Sequence, residues 1–109
     1  MGDRGNIAIK DETGGQVWLY THYDGSELPE TLRSALARRQ RWDDAPYLTR
    51  MVFCQMVADD IAGTTGYGIS TECGDSDHPA LLVDVPAQTV EVNGEVWSFD
   101  QYIAVASSS

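Results

Sequence analysis

Few side chains in this chain of 109 residues have a type and spacing that could do chemistry. His22 closes the run "QVWLYTH", which alternates like a strand. Asp24-Gly25 then leads into a helix opened by Pro29. Enzymes use histidine as a general base at such junctions, but a base needs a nucleophile or a second proton carrier in a recognisable arrangement. Neither cysteine supplies one. Cys54 falls inside the apolar run "MVFCQMVA", where burial would leave a thiol inert, and Cys73 has no signature linking it to His22 or His78. No serine lies in a nucleophile-elbow pattern. His22 therefore reads first as a residue on the rim of a sheet, next as a ligand contact, and last as a catalyst.

Metal chemistry fares no better. "DSDH" at Asp75 to His78 offers two carboxylates and an imidazole, but Pro79 follows directly and no second ligand cluster exists, so a solvated loop is expected. Neither a metal nor a cofactor is implied. The glycine-rich stretch "GTTGYG", from Gly63 to Gly68, could form a nest of backbone N–H groups with Thr64 and Thr65 adding hydroxyls. It leaves a helix, enters a strand and lacks a lysine, which is not the phosphate-loop order. Helix capping and tight turning are its plain alternative.

The strongest set is aromatic and cationic: Trp18, Tyr20, His22, Arg39, Trp42, Arg50 and Tyr67, with Tyr23 nearby. Aromatic faces stack on bases and guanidinium forks grip phosphate, so these residues with Thr64 and Thr65 could hold a nucleotide without transforming it. Against that, Trp18 and Trp42 could be core anchors, and the arginines could simply complement a helix C-terminus.

Charge distribution sharpens the choice. The net charge is −10, yet up to Arg50 seven bases face eight acids. From Met51 onward there are nine acids and no Lys or Arg. The second half should repel nucleic acid and anionic lipid, so any anion must be met by the first. The same acidity admits DNA mimicry or docking on a basic protein. Carboxylate pairs of the glycosidase kind cannot be found from spacing alone.

The elements that would position these residues follow from pattern. "GNIAIK" and "QVWLYTHY" make a hairpin, with Val17, Leu19 and Thr21 on an aliphatic face and Trp18, Tyr20 and His22 on the other. Leu28, Leu32, Ala35 and Leu36 stripe a helix expected from 28 to 40. Asp43 or Asp44 caps a second, expected to reach Asp60 and to be buried on most of its circumference. A strand from Tyr67 to Glu72, strands around an Asn93-Gly94 turn and a helix opened by the "SFDQ" capping box complete the chain. The order ββααβββα predicts an α+β fold: a mostly antiparallel sheet of about five strands, two packed helices and a short C-terminal helix. Residues 1–106 should form one domain, followed by a polar tail, 107–109. No apolar run approaches the ~20 residues of a membrane span, no signal-peptide core is visible, and two free thiols are expected, so the cytoplasm is the expected location.

At "LYTHYDGSELPE", "RWDDAPYLTRMVF" and "TGYGIST" the chain resembles a group of small bacterial and phage proteins, across Gly5 to Tyr102. The resemblance carries over no activity and no functional residue. It implies a context, a protein carried by a phage or mobile element that works by binding. The expected function is thus non-enzymatic: a phage-encoded antagonist of host defence that sequesters a nucleotide-like anion. The alternative is an interaction module, or DNA mimic, whose acidic half docks on a basic host protein. A second copy of the chain could pair at an exposed sheet edge or at the Asn93-Gly94 hairpin.

Overall fold

The computed structural model describes residues 3–74 and 76–105. The expected tail at 107–109 and Asp75 of the "DSDH" stretch lie outside them. The chain opens on β1 (Gly5–Lys10), which turns back into β2 (Gln16–Thr21). The turn is built on Asp11, whose Oδ1 accepts from the Thr13 and Gly15 amides at 2.9 and 3.0 Å, while Gly14 takes a left-handed φ of 88°. The predicted alternation holds. Leu19 and Thr21 are fully buried toward the helices, and Trp18 and Tyr20 point to the opposite face, where they are half-buried.

A 3-10 turn (Gly25–Glu27) leads into α1 (Leu28–Leu36), with Pro29 in its first turn. The helix stops at Leu36 rather than 40. Arg39 and Arg41 both adopt left-handed backbone conformations, φ 55° and 62°, which no continuing helix can accommodate. Asp44 caps α2 (Ala45–Met56) by accepting from the Tyr47 amide, and this helix also ends early, four residues before Asp60.

The expectation of a helix buried on most of its circumference is overturned. Only Leu48, Val52 and Met56, at i, i+4 and i+8, are buried, and Tyr47, Arg50 and Cys54 are exposed. α2 has α1 on one side and the sheet beneath, and those two neighbours cannot cover its whole circumference.

β3 (Tyr67–Ser70), β4 (Leu81–Asp84), β5 (Thr89–Val92) and β6 (Glu95–Ser98) bring the sheet to six strands in the order β3-β2-β1-β4-β5-β6. One strand more than the expected order counts is present, because a turn from Val85 to Gln88, with Gln88 at φ 54°, separates β4 from β5 while the expected Asn93-Gly94 turn (φ 54° and 88°) separates β5 from β6. The sheet is also mixed, since β4 runs parallel to β1, with Ile7 opposite Leu81 and Ile9 opposite Val83. The cause lies in the loop before β4, which returns to the start of β1. The Asp77 amide donates to the Arg4 carbonyl at 2.9 Å, and the Asn6 side chain exchanges two hydrogen bonds with the Gly74 backbone, at 3.1 and 3.2 Å. From there β4 can only run alongside β1 in the same direction. α3 (Phe99–Val105) opens on the predicted capping box. Ser98 Oγ accepts from the Gln101 amide at 3.1 Å, and Gln101 Oε1 accepts from the Ser98 amide at 3.0 Å.

All three helices lie on one face, so the architecture is a two-layer α+β domain with one uncovered sheet face. Ile7, Ile9, Leu19, Leu32, Leu36, Val52, Val83, Val90 and Phe99 form the core between the layers. Among the described residues no helix is long and apolar enough to cross a membrane.

The entry to α1 passes close beneath β1. A Cβ on Gly25 would lie 2.6 Å from the Arg4 carbonyl oxygen, a backbone atom that cannot swing aside. Gly25→Ala should therefore destabilise the domain by about 1–3 kcal/mol, the usual cost of overpacking, read as a lowered urea midpoint with an unchanged m-value. Gly94→Ala, where no atom lies within 4 Å, should incur only the smaller cost of a positive φ.

Candidate anion-binding groove and neighbouring polar clusters

The outward stripe of α2 and the chain leaving α1 enclose a groove of about 470 Å³, lined by Arg38, Gln40, Arg41, Tyr47, Arg50, Met51 and Cys54. Helical spacing puts Tyr47, Arg50, Met51 and Cys54 on one face, at i, i+3, i+4 and i+7. Arg38 and Arg41 come from the irregular segment opposite. Left-handed backbone at Arg39 and at Arg41 separates consecutive side chains there. Arg41 sits over the Tyr47 ring, 4.7 Å from its centroid, whereas Arg39 turns the other way, over the Trp42 ring at 5.4 Å and onto Asp100 at 2.6 Å.

The arginines differ sharply in how their charge is met. Arg4 pairs with Asp77 at 3.0 Å, Arg33 with Glu30 at 3.1 Å and Arg39 with Asp100 at 2.6 Å. In the groove, Arg41 reaches Asp44 only at 3.9 Å, and the guanidiniums of Arg38 and Arg50 make no ion pair or hydrogen bond with the described residues. Uncommitted positive charge is therefore concentrated at one end of the helical hairpin, in a chain whose net charge is −10. Guanidiniums with unused donors are pre-arranged for a multivalent oxyanion.

The site residues expected from sequence do not converge. Arg50 lies in the groove. Arg39 and Trp42 brace its outer wall instead, Trp42 packing edge-on against Phe99 at 5.3 Å and donating its indole N–H to the Leu36 carbonyl at 3.1 Å. Trp18 and Tyr20 lie on the uncovered sheet face. His22 is at the far end of β2, its Nδ1 3.1 Å from the Tyr20 hydroxyl and its amide donating to the Gly66 carbonyl at 2.7 Å. These are the contacts of a rim residue. Tyr67 is beside that end too, its hydroxyl donating to Asp24, which with burial pushes the phenol up to about 12. Thr64 and Thr65 are exposed in the bend before β3, where Gly66 (φ 94°) leaves no room for a Cβ against the Tyr23 ring. That bend is shaped by packing, as in the plain reading of the glycine-rich loop.

Sequence reasoning did not count Tyr47, which lines the groove, among the candidates, and placed Cys54 in the core, whereas it is exposed. The signal was present in the spacing of Tyr47, Arg50 and Cys54. The run of apolar letters around them masked it.

A second polar cluster joins the start of β1 to two loops. Asp3 accepts from the Ser26 amide (3.1 Å) and hydroxyl (2.6 Å) and also pairs with His78 Nε2. Serine, aspartate and histidine are thus together, but the carboxylate sits between the other two. The hydroxyl is bonded to the carboxylate and not to an imidazole base, which is not the arrangement that activates a serine. The cluster reads as a clamp. Asp77 and His78 of the "DSDH" stretch are engaged with Arg4 and Asp3, and among the described residues no three His, Cys, Asp or Glu side chains are grouped to hold a metal.

No protein-family model, no curated protein and no solved structure matches this chain, so the groove has to be read from its own geometry.

The clamp makes stability depend on acid. Hydrogen bonds and charge from Arg4 hold Asp77 down from 3.8 to about 2, and hydrogen bonds from Ser26 and His78 lower Asp3 as well. A depressed carboxyl contributes stability that is complete above 3.8 and disappears as pH falls through about 2. Thermal midpoints should fall across that window. Asp77→Asn should lower the midpoint above it, with the two proteins converging at its acid end; parallel profiles would assign the acid loss elsewhere.

Proposed function

We propose that the protein is a non-enzymatic binding protein that holds a nucleotide-like anion in the groove between the end of α1 and the outer stripe of α2. One observation carries this reading: Arg38, Arg41 and Arg50 converge on one concavity with little or no carboxylate pairing. Everything else in the molecule is predominantly acidic, so a phosphate-bearing ligand would be repelled over most of the surface and attracted here. A volume of about 470 Å³ falls in the range of small-molecule sites. Tyr47, 55% exposed, offers aromatic surface to a base, while the guanidiniums take the phosphates bidentately.

Three features favour holding over turnover. The described residues lining the groove include no carboxylate and no histidine, so they offer no general base of the usual kind. His22 lies outside it. Among the described lining residues, the Cys54 thiol and the Tyr47 hydroxyl are the potential nucleophiles, and no carboxylate or imidazole lines the groove to activate either. A protein that binds without converting is suited to sequestration, and a phage-borne antagonist of a nucleotide-signalled defence is the setting in which that would be useful.

The test is native mass spectrometry of protein purified at low salt, followed by titration of nucleoside diphosphates and triphosphates into the apo protein by calorimetry. Arg38→Ala and Arg50→Ala should each weaken binding by roughly 10- to 100-fold, the worth of a charge-assisted hydrogen bond. Arg39→Ala should leave affinity unchanged and lower the melting temperature, because that side chain braces Trp42 and Asp100. Wild-type affinity in both groove variants would sink the proposal.

A further inference from the structure

A different part of the molecule offers a second binding mode, independent of the groove. β3 is an edge strand, and the hydrogen-bond parity of the sheet shows which of its backbone groups are left over. The His22 amide donates to the Gly66 carbonyl, and the Asp11 amide to the Gly15 carbonyl, which fixes the alternation on both sides of β2. Gly68 and Ser70 accordingly face β2. The N–H and C=O groups of Tyr67 and Ile69 point away from the sheet, where none of the described strands pairs with them. Edge strands are normally protected by a charge, a proline or a bulge. β3 has none of these: its sequence is "YGIS", its register is regular, and Ile69 is 61% exposed. The opposite edge, β6, begins with Glu95. Along β3, on the uncovered face, runs a depression of about 310 Å³ floored by Tyr20, Gly68 and Ser70 and bounded by Glu72 and Cys73.

We infer that β3 accepts an extended, basic segment of a partner protein as a seventh strand. Charge selects the occupant. Asp60 lies close enough to Tyr67 to help raise its pKa, and Glu72 borders the other end of the strand. No Lys or Arg occurs anywhere after Arg50. Lysine or arginine side chains at the two ends of an added strand would meet Asp60 and Glu72, while its alternate side chains drop toward Ile69 and into the depression beside Tyr20. A second copy of this chain would fit poorly. Antiparallel pairing of β3 with itself brings Asp60 of one copy toward Glu72 of the other, carboxylate against carboxylate.

The experiment uses the isotope-labelled full chain and a capped peptide alternating lysine and valine, with a peptide in which the valines are replaced by proline as the equally charged control. The lysine–valine peptide should slow amide exchange at Tyr67 and Ile69, leave β6 unchanged, and lose its effect as salt is raised. Ile69→Pro removes one outward N–H without breaking a bond to β2, and should weaken binding by roughly tenfold, the upper worth of one hydrogen bond. Glu72→Lys, which leaves the backbone intact, should weaken it too, so a folding defect in the proline variant cannot decide the matter. Equal protection by the proline-containing peptide, protection at β6 instead, wild-type binding by Glu72→Lys, or concentration-dependent protection without peptide would each overturn the inference. The last outcome would identify a second copy as the occupant.

Discussion

Everything in the fold is referred to β1. This strand is paired along both edges, antiparallel to β2 and parallel to β4, and Asn6, Ile7, Ala8 and Ile9 are at most 2% exposed. Its first residues are anchored as firmly as its middle. Asp3 and Arg4 hold the loop before α1 and the loop before β4, and buried Asn6 holds Gly74. A buried amide side chain left without partners would be costly, so the two bonds between Asn6 and Gly74 act as a specification as much as a stabilisation. They determine where a long polar loop must return, and hence the direction of β4.

With the centre held in that way, the sheet has one covered face and two edges, and the surface chemistry divides accordingly. Helices α1 and α2 pack against each other, and their inner stripes fill the core. Their outer stripe, with the irregular turn from Ala37 to Asp44, is left for other uses. Two left-handed arginines in that turn are conformationally expensive, on the order of 1–2 kcal/mol each. The packing of Trp42 on Phe99 and the bridge from Arg39 to Asp100 offset that cost and hold the groove wall in place. The acidic half of the chain supplies both edges of the sheet, β3 and β6, where backbone groups rather than guanidiniums are on offer. The cationic concavity and the depression along β3 share no lining residue.

The local devices were legible because each is written in a few adjacent residues. The Asn93-Gly94 turn, the Ser98 to Gln101 capping box, the Asp44 cap and the two faces of β2 depend on φ preferences and on side chains reaching their own backbone, so the sequence by itself determined them. It also determined the charge asymmetry, and with it where an anion could be tolerated. Three things were decided only by tertiary structure. The parallel pairing of β4 with β1 depends on Asn6 and Arg4 meeting a loop some seventy residues away, a contact with no local signature. The exposure of Tyr47, Arg50 and Cys54 depends on how much of α2 its neighbours can cover; apolar letters announce a preference for burial, and the available area decides which of them obtain it. The composition of the groove depends on ion pairing. Arg39 and Arg38 are adjacent and chemically identical, but Asp100 folds back to neutralise one and leaves the other without an ion pair among the described residues.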